Sequence, residues 1–280
     1  MEIKKLIAMS LAEDIQEIDV TSSLLIDSNQ TSSAHIIAKE SGIFFGAPII
    51  NEMNNLSNSI SIESVIPDGS RVKPNDICVS LNGNLKEILQ YERTLLNFLQ
   101  RLSGIATTTD SFVKALNNPA IEVLDTRKTT PLLRDLEKMA VKAGGGCNHR
   151  FGLYDMILVK ENHLKYYLSS SKIDEFNSRL ANHKKDFPNI KIEVEIDTID
   201  VLKQLDLDPI DIILFDNMDL NTLKECLTYI EFHSYKVLTE VSGNINLETI
   251  KNYQNIDINR ISVGSLTHSV KALDFSLLVL

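Results

Sequence analysis

IEVEIDTIDVLKQLDLDPIDIILFD, residues 192–216, sets two short apolar runs on either side of a segment long enough for a crossover helix. IEVEI and DIILFD are rich in Ile, Val and Leu, the composition of strands buried on both faces. Strand, short helix, strand predicts two parallel strands joined by a right-handed crossover. The same unit recurs on both sides. After residue 118 the chain runs IEVLD, a helix in TPLLRDLEKMAVKAGG, MILVK, a longer polar helical stretch, then IEVEI and DIILFD. It continues with a helix in DLNTLKECLTYI, the strand KVLTEV, a short helix and the strand RISVG. About six parallel strands, fewer than the eight of a complete barrel, predict an incomplete, open α/β barrel over residues 108–269. In its first helix Thr130 reads as N-cap and Pro131 as first position. Leu132, Leu133, Leu136, Met139 and Ala140 form one apolar face there, and Gly144 is the stop.

Upstream the pattern changes. Between Ser33 and Leu85 short β-rich runs (AHIIAKESGIFFG, SISIESVIPDGS, DICVSLNG) are broken by Gly and Pro turns around a helix-like NEMNNL, which predicts an α+β domain over residues 1–107. Ile88 to Leu116 has apolar residues at helical spacing and reads as two helices interrupted around Ser103-Gly104.

With 280 residues, 43% of them hydrophobic, the chain can bury a sizeable core. Its net charge of −10 argues against a sequence-independent nucleic-acid binder, so an anion site must be a local basic pocket. Cys78, Cys147 and Cys226 are odd in number and far apart, which fits neither a disulfide framework nor paired zinc ligands and points to a reducing cytoplasm. The first nineteen residues are interrupted by Glu13, Asp14, Glu17 and Asp19, unlike a secretory signal or membrane span.

The predicted strand ends carry Asp125, Arg127 and Lys128; Lys160; Glu195 and Asp197; Asp216; Glu240 and Ser242; Gly264 and Ser265. In β/α barrels the loops at these ends converge on one mouth, where active sites sit. Arg127, Lys128, Arg150 and Lys160, with His149 alongside, suit a ligand bearing several carboxylates or phosphates. Glu195 and Asp216 suit Mg²⁺, which takes one or two protein carboxylates and completes its shell with water and phosphate oxygens. Ser242-Gly243-Asn244 and Val263-Gly264-Ser265 are small enough for backbone N–H groups to approach a phosphate. Glu193 shares its strand face with Glu195 and Asp197 by two-residue alternation. GGGCNHRFG, residues 144–152, combines a helix stop with a His-Arg pair. Its Cys147 is poor zinc evidence, having no further ligand at metal spacing.

LDTRKTTP, LEKMAVKAGGGCNHRFGLYDMILVKENH, IEVEID, LFDNM and ISVGSLTHSVKALDFS, with LAEDIQEIDVTS and ERTLLNFLQRLSGIAT upstream, resemble the quinolinate phosphoribosyltransferase family, the decarboxylating nicotinate-nucleotide pyrophosphorylases. The resemblance runs in order from about Leu11 to the C-terminus. It implies an N-terminal α+β sandwich, with residues of about 270–280 packing back on it, and an open barrel with the active site at its mouth. It implies a glycosyltransferase joining quinolinate to 5-phosphoribosyl 1-diphosphate, with Mg²⁺, to give nicotinate mononucleotide, pyrophosphate and CO2 in de novo NAD biosynthesis. It also implies a homodimer or larger homo-oligomer in which Arg93 of YERTLLN is lent to the neighbour's barrel.

The substrate-binding set implied is Arg93, Arg127, Lys128, Thr129, His149, Arg150, Lys160, Glu195, Asp216, Ser242, Gly243, Asn244, Val263, Gly264, Ser265 and His268. Lys128 and Lys160 are candidates for assisting decarboxylation, and Glu195 and Asp216 for holding the metal. His163 of KENH is a candidate for orienting Lys160. Two departures stand out: Leu132 where the family often has glycine after KTTP, and Asn244 where it often has a second glycine after SG.

Three rivals stay in view. A molybdenum-transport-associated homologue of the family is disfavoured by the basic set and LYDMILVKENH. A biotinyl or lipoyl carrier is suggested by DGSRVKPNDICVSLNG but lacks the hairpin lysine. A Schiff-base aldolase or isomerase barrel would set its lysine apart from other cations in an apolar pocket.

Overall fold

The computed structural model describes residues 2–280, which divide into two compact units. The first comprises the chain up to Asp110 with Thr130–Gly145 and Leu266–Leu280; the second comprises Ser111–Thr129 and Gly146–Ser265.

The elements before the barrel are α1 (Ile3–Ile15), α2 (Val20–Leu25), β1 (Thr31–Ala38), β2 (Gly42–Ile43), α3 (Ala47–Leu56), β3 (Ile60–Val65), β4 (Arg71–Val72), β5 (Ile77–Asn84) and α4 (Leu85–Leu116). Asp19 caps α2 by accepting the Ser22 N–H at 3.0 Å. Strands β1, β3 and β5 join the chain's last strand, β12 (Phe275–Val279), in a four-stranded antiparallel sheet of order β12-β1-β5-β3, while β2 and β4 pair separately. Along β5, buried and half-exposed residues largely alternate, as in a sheet packed on one face. α1 packs on α3, and α3 against β3.

Residues 85–116 form one 32-residue helix, where the sequence suggested a break at Ser103-Gly104. Both residues serve close packing instead. The Ser103 hydroxyl accepts the Phe45 N–H at 3.0 Å and donates to the Phe45 carbonyl at 3.2 Å. A Cβ on Gly104 would lie 2.4 Å from the Lys271 carbonyl oxygen. A small-polar pair that reads as a breaker is here a contact surface.

The remaining elements are β6 (Glu122–Leu124), α5 (Arg134–Ala143), β7 (Ile157–Val159), α6 (Glu161–Ser169), α7 (Ile173–Asp186), β8 (Ile192–Ile196), α8 (Ile199–Leu202), β9 (Ile212–Asp216), α9 (Leu220–Phe232), β10 (Leu238–Ser242), a 3-10 turn (Thr249–Tyr253), β11 (Arg260–Ser262) and α10 (Ser265–His268). Six parallel strands form one sheet of order β6-β11-β10-β9-β8-β7. The first two strands of this sheet in chain order, β6 and β7, lie at its two edges, which makes an open α/β barrel. Beside β6 the segment at Cys147 is nearly a further strand. Cys147 N–H donates to Val123 O at 2.8 Å, and Asp125 N–H donates to Cys147 O at 3.2 Å. Cys147 is therefore part of the barrel wall.

α5 starts at Arg134, four residues after the predicted Thr130 cap. Thr130 N–H instead donates to Glu137 Oε2 at 3.2 Å, and Leu133 N–H donates to Thr130 O in a preceding turn. Leu132 is not on the apolar face. It sits in that turn, exposed, with φ at 68°, a conformation that favours glycine. The Leu-for-Gly departure is thus a backbone matter rather than one of helix packing. Gly144 does end the helix, and a Cβ there would lie 2.3 Å from Ala106 O. No helix among the described residues is long and apolar enough to cross a membrane.

Candidate active site

The strand ends of the second unit bring several predicted residues together. β6 leads into Asp125, which is fully buried and acts as a clamp. Its Oδ1 accepts the His149 N–H at 3.0 Å, and its Oδ2 accepts the Asn148 side-chain amide at 2.5 Å. Asp125 thereby ties the NHR segment to the end of β6. In the following loop Lys128 N–H donates to Thr126 Oγ1 at 3.1 Å and Thr129 N–H to Arg127 O at 2.9 Å, a compact turn that presents Arg127 half-buried and Lys128 exposed.

Arg150 is the most informative cation. Burial, and next the positive charge of Arg127, hold its guanidinium below the ordinary arginine pKa; Glu193 and Asp155 oppose this. Two guanidiniums repel each other here in partly desolvated surroundings, which favours an anion between or beside them. Arg150 Nη1 donates to Met156 O at 3.0 Å, whereas its buried Nε has no hydrogen-bond partner among the described residues. A buried donor without an acceptor costs roughly 1–3 kcal/mol, so this arrangement is suited to a ligand oxygen.

Lys160 caps α6. His163 Nδ1 accepts the Lys160 N–H at 2.9 Å and His163 N–H donates to Lys160 O at 2.8 Å, so His163 fastens the Lys160 backbone. Lys160 Nζ lies 3.5 Å from Glu195 Oε2. Of the three acids on the β8 face, Glu193 is fully buried, Glu195 is half-buried at the strand end and Asp197 is exposed beyond it. Asp216 Oδ1 accepts the Ser242 hydroxyl at 2.6 Å and Oδ2 accepts the Asn217 amide at 2.9 Å. Glu195, Asp197 and Asp216, with Glu161 and Lys165 of α6, line a cavity of about 460 Å³. Its hard carboxylate oxygens, on adjacent strands, match the donor set that Mg²⁺ takes.

The two small-residue turns flank this side. Gly243 has φ at 95°, and a Cβ there would lie 2.2 Å from Asn217 Oδ1. Asn244 has φ at 52° and donates its amide to Asn217 Oδ1 at 2.9 Å. Asparagine tolerates this left-handed position, so the turn is kept despite the lost glycine. Val263 N–H donates to Leu124 O at 2.9 Å, and Gly264 and Ser265 follow at the end of β11. Arg93 and His268 belong to the first unit. Arg93 is exposed on α4 beside a groove lined by Ser10, Glu13, Asp14, Asn97 and Arg101. His268 is exposed, with Nδ1 2.7 Å from Ser269 Oγ.

The sequence places Glu240 among the strand ends and Glu193 on one face with Glu195 and Asp197, without a role for either; the structure gathers both around His149. Nε2 of His149 lies 3.1 Å from Glu193 and 3.5 Å from Glu240, and both carboxylates are fully buried. Burial, then Glu193, pushes Glu240 up to about 7, against the opposing effects of His149, Ser262 and Arg260. The available signal was the two-residue spacing of Glu193 and Glu195; the depth of Glu193 below the mouth had none.

An open α/β barrel whose strand ends carry juxtaposed guanidiniums, lysines, two hard carboxylates and glycine turns defines an enzyme built for small polyanionic substrates. Residues 19–103 match the N-terminal domain, and residues 105–278 the C-terminal domain, of quinolinate phosphoribosyl transferase; the chain belongs to that family. It is 40% identical over 279 residues to the probable nicotinate-nucleotide pyrophosphorylase (carboxylating) of Bacillus subtilis, covering 99% of this chain and 93% of that protein. It is 36% identical to the mitochondrial quinolinate phosphoribosyltransferase (decarboxylating) 2b of Nicotiana tabacum, over 99% of this chain and 82% of that one. The crystal structure of NadC from Streptococcus pyogenes superposes with a TM-score of 0.89 at 34% identity, covering 99% of this chain and 96% of that one. The nicotinate-nucleotide pyrophosphorylase from Francisella tularensis gives 0.88 at 36% identity, with 99% and 96% covered.

Proposed function

We infer that this chain is a pentosyltransferase joining quinolinate to 5-phosphoribosyl 1-diphosphate, releasing pyrophosphate and CO2 and forming nicotinate mononucleotide, a step of NAD biosynthesis. Family membership supports the reaction. The observation that carries the substrate is the half-buried Arg127–Arg150 pair, with an Arg150 Nε that has no hydrogen-bond partner among the described residues. A dicarboxylate answers both features. Arg127, Arg150 and Lys160, with Arg93 from a neighbouring subunit, take the two carboxylates and aim the ring nitrogen at the anomeric carbon. The pyridine nitrogen is a weak nucleophile, so positioning, worth roughly 7–11 kcal/mol at best, is the main help a protein can give.

Glu195 and Asp216 hold the ribosyl donor from the opposite side, and the turns Ser242-Gly243-Asn244 and Val263-Gly264-Ser265 offer backbone N–H groups to its phosphates. The same two carboxylates would bind Mg²⁺, which when present neutralises charge on the departing pyrophosphate. Once the nitrogen is alkylated, its positive charge stabilises the electron pair left on C2 as CO2 departs, an in-plane carbanion that then takes up a proton. Lys128 or Lys160 stabilises that carbanion or relays the proton to it. Thr129 completes the proposed substrate contacts. His149 stands behind Arg150, with both ring nitrogens already hydrogen-bonded or ion-paired within the protein.

The reading includes a homodimer or larger homo-oligomer in a reducing cytoplasm. Ile18, Val20, Leu24 and Leu25 form an exposed apolar run in and before α2, of the kind that marks interaction surfaces. The scattered, odd cysteines fit the compartment.

The deciding experiment incubates the protein with Mg²⁺, 5-phosphoribosyl 1-diphosphate and either quinolinate or nicotinate. Nicotinate mononucleotide and CO2 from quinolinate support the reading, and turnover of nicotinate alone would overturn it. Arg150→Ala should raise the quinolinate KM by roughly 10- to 150-fold, the equivalent of a charged hydrogen bond worth about 1.5–3 kcal/mol. Lys128→Ala with unchanged turnover and affinity would remove Lys128 from the scheme.

A further inference from the structure

Two carboxylates below the barrel mouth have no part in the reaction just described. Glu193, on the inward face of β8, and Glu240, the third residue of β10, are each 0% exposed. Burying a carboxylate costs several kcal/mol unless it is paired and hydrogen-bonded. A chain needing only to fill this space would use an aliphatic residue.

Both acids converge on one ring. His149 Nε2 lies 3.1 Å from Glu193 Oε2 and 3.5 Å from Glu240 Oε1. The other ring nitrogen, Nδ1, accepts the backbone N–H of Arg150 at 2.7 Å. An N–H donates only to an unprotonated nitrogen, so Nε2 carries the hydrogen and donates it to Glu193 Oε1 at 3.4 Å, while Glu240 Oε1 stands at ion-pair distance, 3.5 Å away. The three potential ligand atoms lie within 4.8 Å of one another, but a protonated Nε2 has no lone pair for a cation. The geometry therefore favours a hydrogen-bonded clamp over a metal site. In this state His149 has no ring nitrogen to offer a substrate carboxylate.

The clamp holds the peptide that carries Arg150. Asp125 grips the His149 N–H and the Asn148 amide from one side. His149 grips the Arg150 N–H from the other, and Met156 O takes Arg150 Nη1, leaving Nε without an acceptor among the described residues. We propose that Glu193 and Glu240 are positioning residues for the acidic substrate: acting through His149, they fix the Arg150 peptide and thereby the direction of its guanidinium. The proposal rests on the reading that Arg150 binds a quinolinate carboxylate. A guanidinium misplaced by about 1 Å can cost on the order of 100-fold, and the effect should fall on quinolinate, because the ribosyl donor is held by Glu195 and Asp216.

The test compares Glu→Gln with Glu→Leu at both positions. At Glu193 glutamine keeps the acceptor oxygen for Nε2–H, and at Glu240 it keeps a polar group beside the ring; leucine keeps neither. Both Leu variants, shown folded by circular dichroism, should raise the quinolinate KM about 10- to 100-fold and move the 5-phosphoribosyl 1-diphosphate KM by less than about twofold. The Gln variants should recover most of the loss. Unchanged quinolinate KM in the Leu variants, or equal rises for both substrates, would overturn the proposal. Should the Leu variants fail to fold, ¹⁵N-histidine NMR of the wild-type protein decides. A His149 ring protonated at Nε2 and bare at Nδ1 supports the clamp, and a proton on Nδ1 overturns it. Arg150→Ala is the control for the underlying reading: if it leaves the quinolinate KM unchanged, that reading falls and the proposal falls with it. If Arg150→Ala is impaired and the Leu variants are not, only the proposal falls.

Discussion

Leu132 keeps φ at 68° while its side chain is 68% exposed, so a strained backbone is not offset by burial. The left-handed conformation costs a residue with a Cβ roughly 1–2 kcal/mol, and glycine's extra freedom in the unfolded chain takes back roughly 0.4–1 kcal/mol. Leu132→Gly should therefore stabilise the protein by up to about 1 kcal/mol, seen as a higher urea midpoint at unchanged m-value. Glu240 gives a residue-scale pH effect. Its carboxyl is raised from 4.5 to about 7, first by burial and then by Glu193, with His149, Ser262 and Arg260 opposing. Because the folded state binds its proton more tightly than the unfolded chain, the contribution is full below the ordinary carboxyl value. It is lost as pH rises through about 7. Urea melts at about pH 5 and about pH 8 should show a smaller loss of stability for Glu240→Gln than for wild type, by on the order of 1–3 kcal/mol. Parallel pH curves would contradict the raised carboxyl.

At the scale of elements, α4 shows how a local signal yields to packing. Ser103-Gly104 has the composition of a helix break, yet Ser103 bonds both backbone groups of Phe45 and Gly104 lies under the Lys271 carbonyl. Gly104→Ala tests which effect wins. Helix propensity favours alanine by about 1 kcal/mol, while overpacking against a backbone oxygen at 2.4 Å costs about 1–3 kcal/mol. A net destabilisation of up to about 2 kcal/mol is expected from the unfolding midpoint, and a gain in stability would mean the helix can shift away from residues 271–272. The start of α5 has the same logic. Thr130 and Pro131 form a sound N-terminal signal, but Glu137 Oε2 takes the Thr130 N–H while its Oε1 pairs with Arg101 at 2.7 Å. A long-range ion pair thus holds residues 130–133 as a turn ahead of the helix.

At the scale of the whole molecule, the prediction concerns assembly. If Arg93 serves a neighbour's barrel, Arg93→Ala and Arg127→Ala proteins are each inactive alone. Mixed in equal amounts after dissociation, they should regain about a quarter of wild-type activity, because half the dimers are mixed and each holds one intact site of two. No recovery, with mixed dimers confirmed by mass, would place Arg93 in its own subunit's site or outside any site.

The order of the barrel's strands, the six-stranded parallel sheet and the candidate cations near the strand ends were legible in the sequence. Each follows from local periodicity, and parallel strands need helical crossovers whatever surrounds them. Residues 192–216 already contained β8, α8 and β9 with Glu195 and Asp216 at the strand ends. Tertiary structure alone decided what those residues meet. It made Cys147 part of the barrel wall, placed Leu132 in a left-handed turn and set Glu193 beneath Glu195 against Glu240 and His149. Periodicity assigns a residue to a face. Burial depth, charge pairing and backbone approach depend on partners about a hundred positions away along the chain, as Glu240 is from His149, and only folding brings those partners into contact.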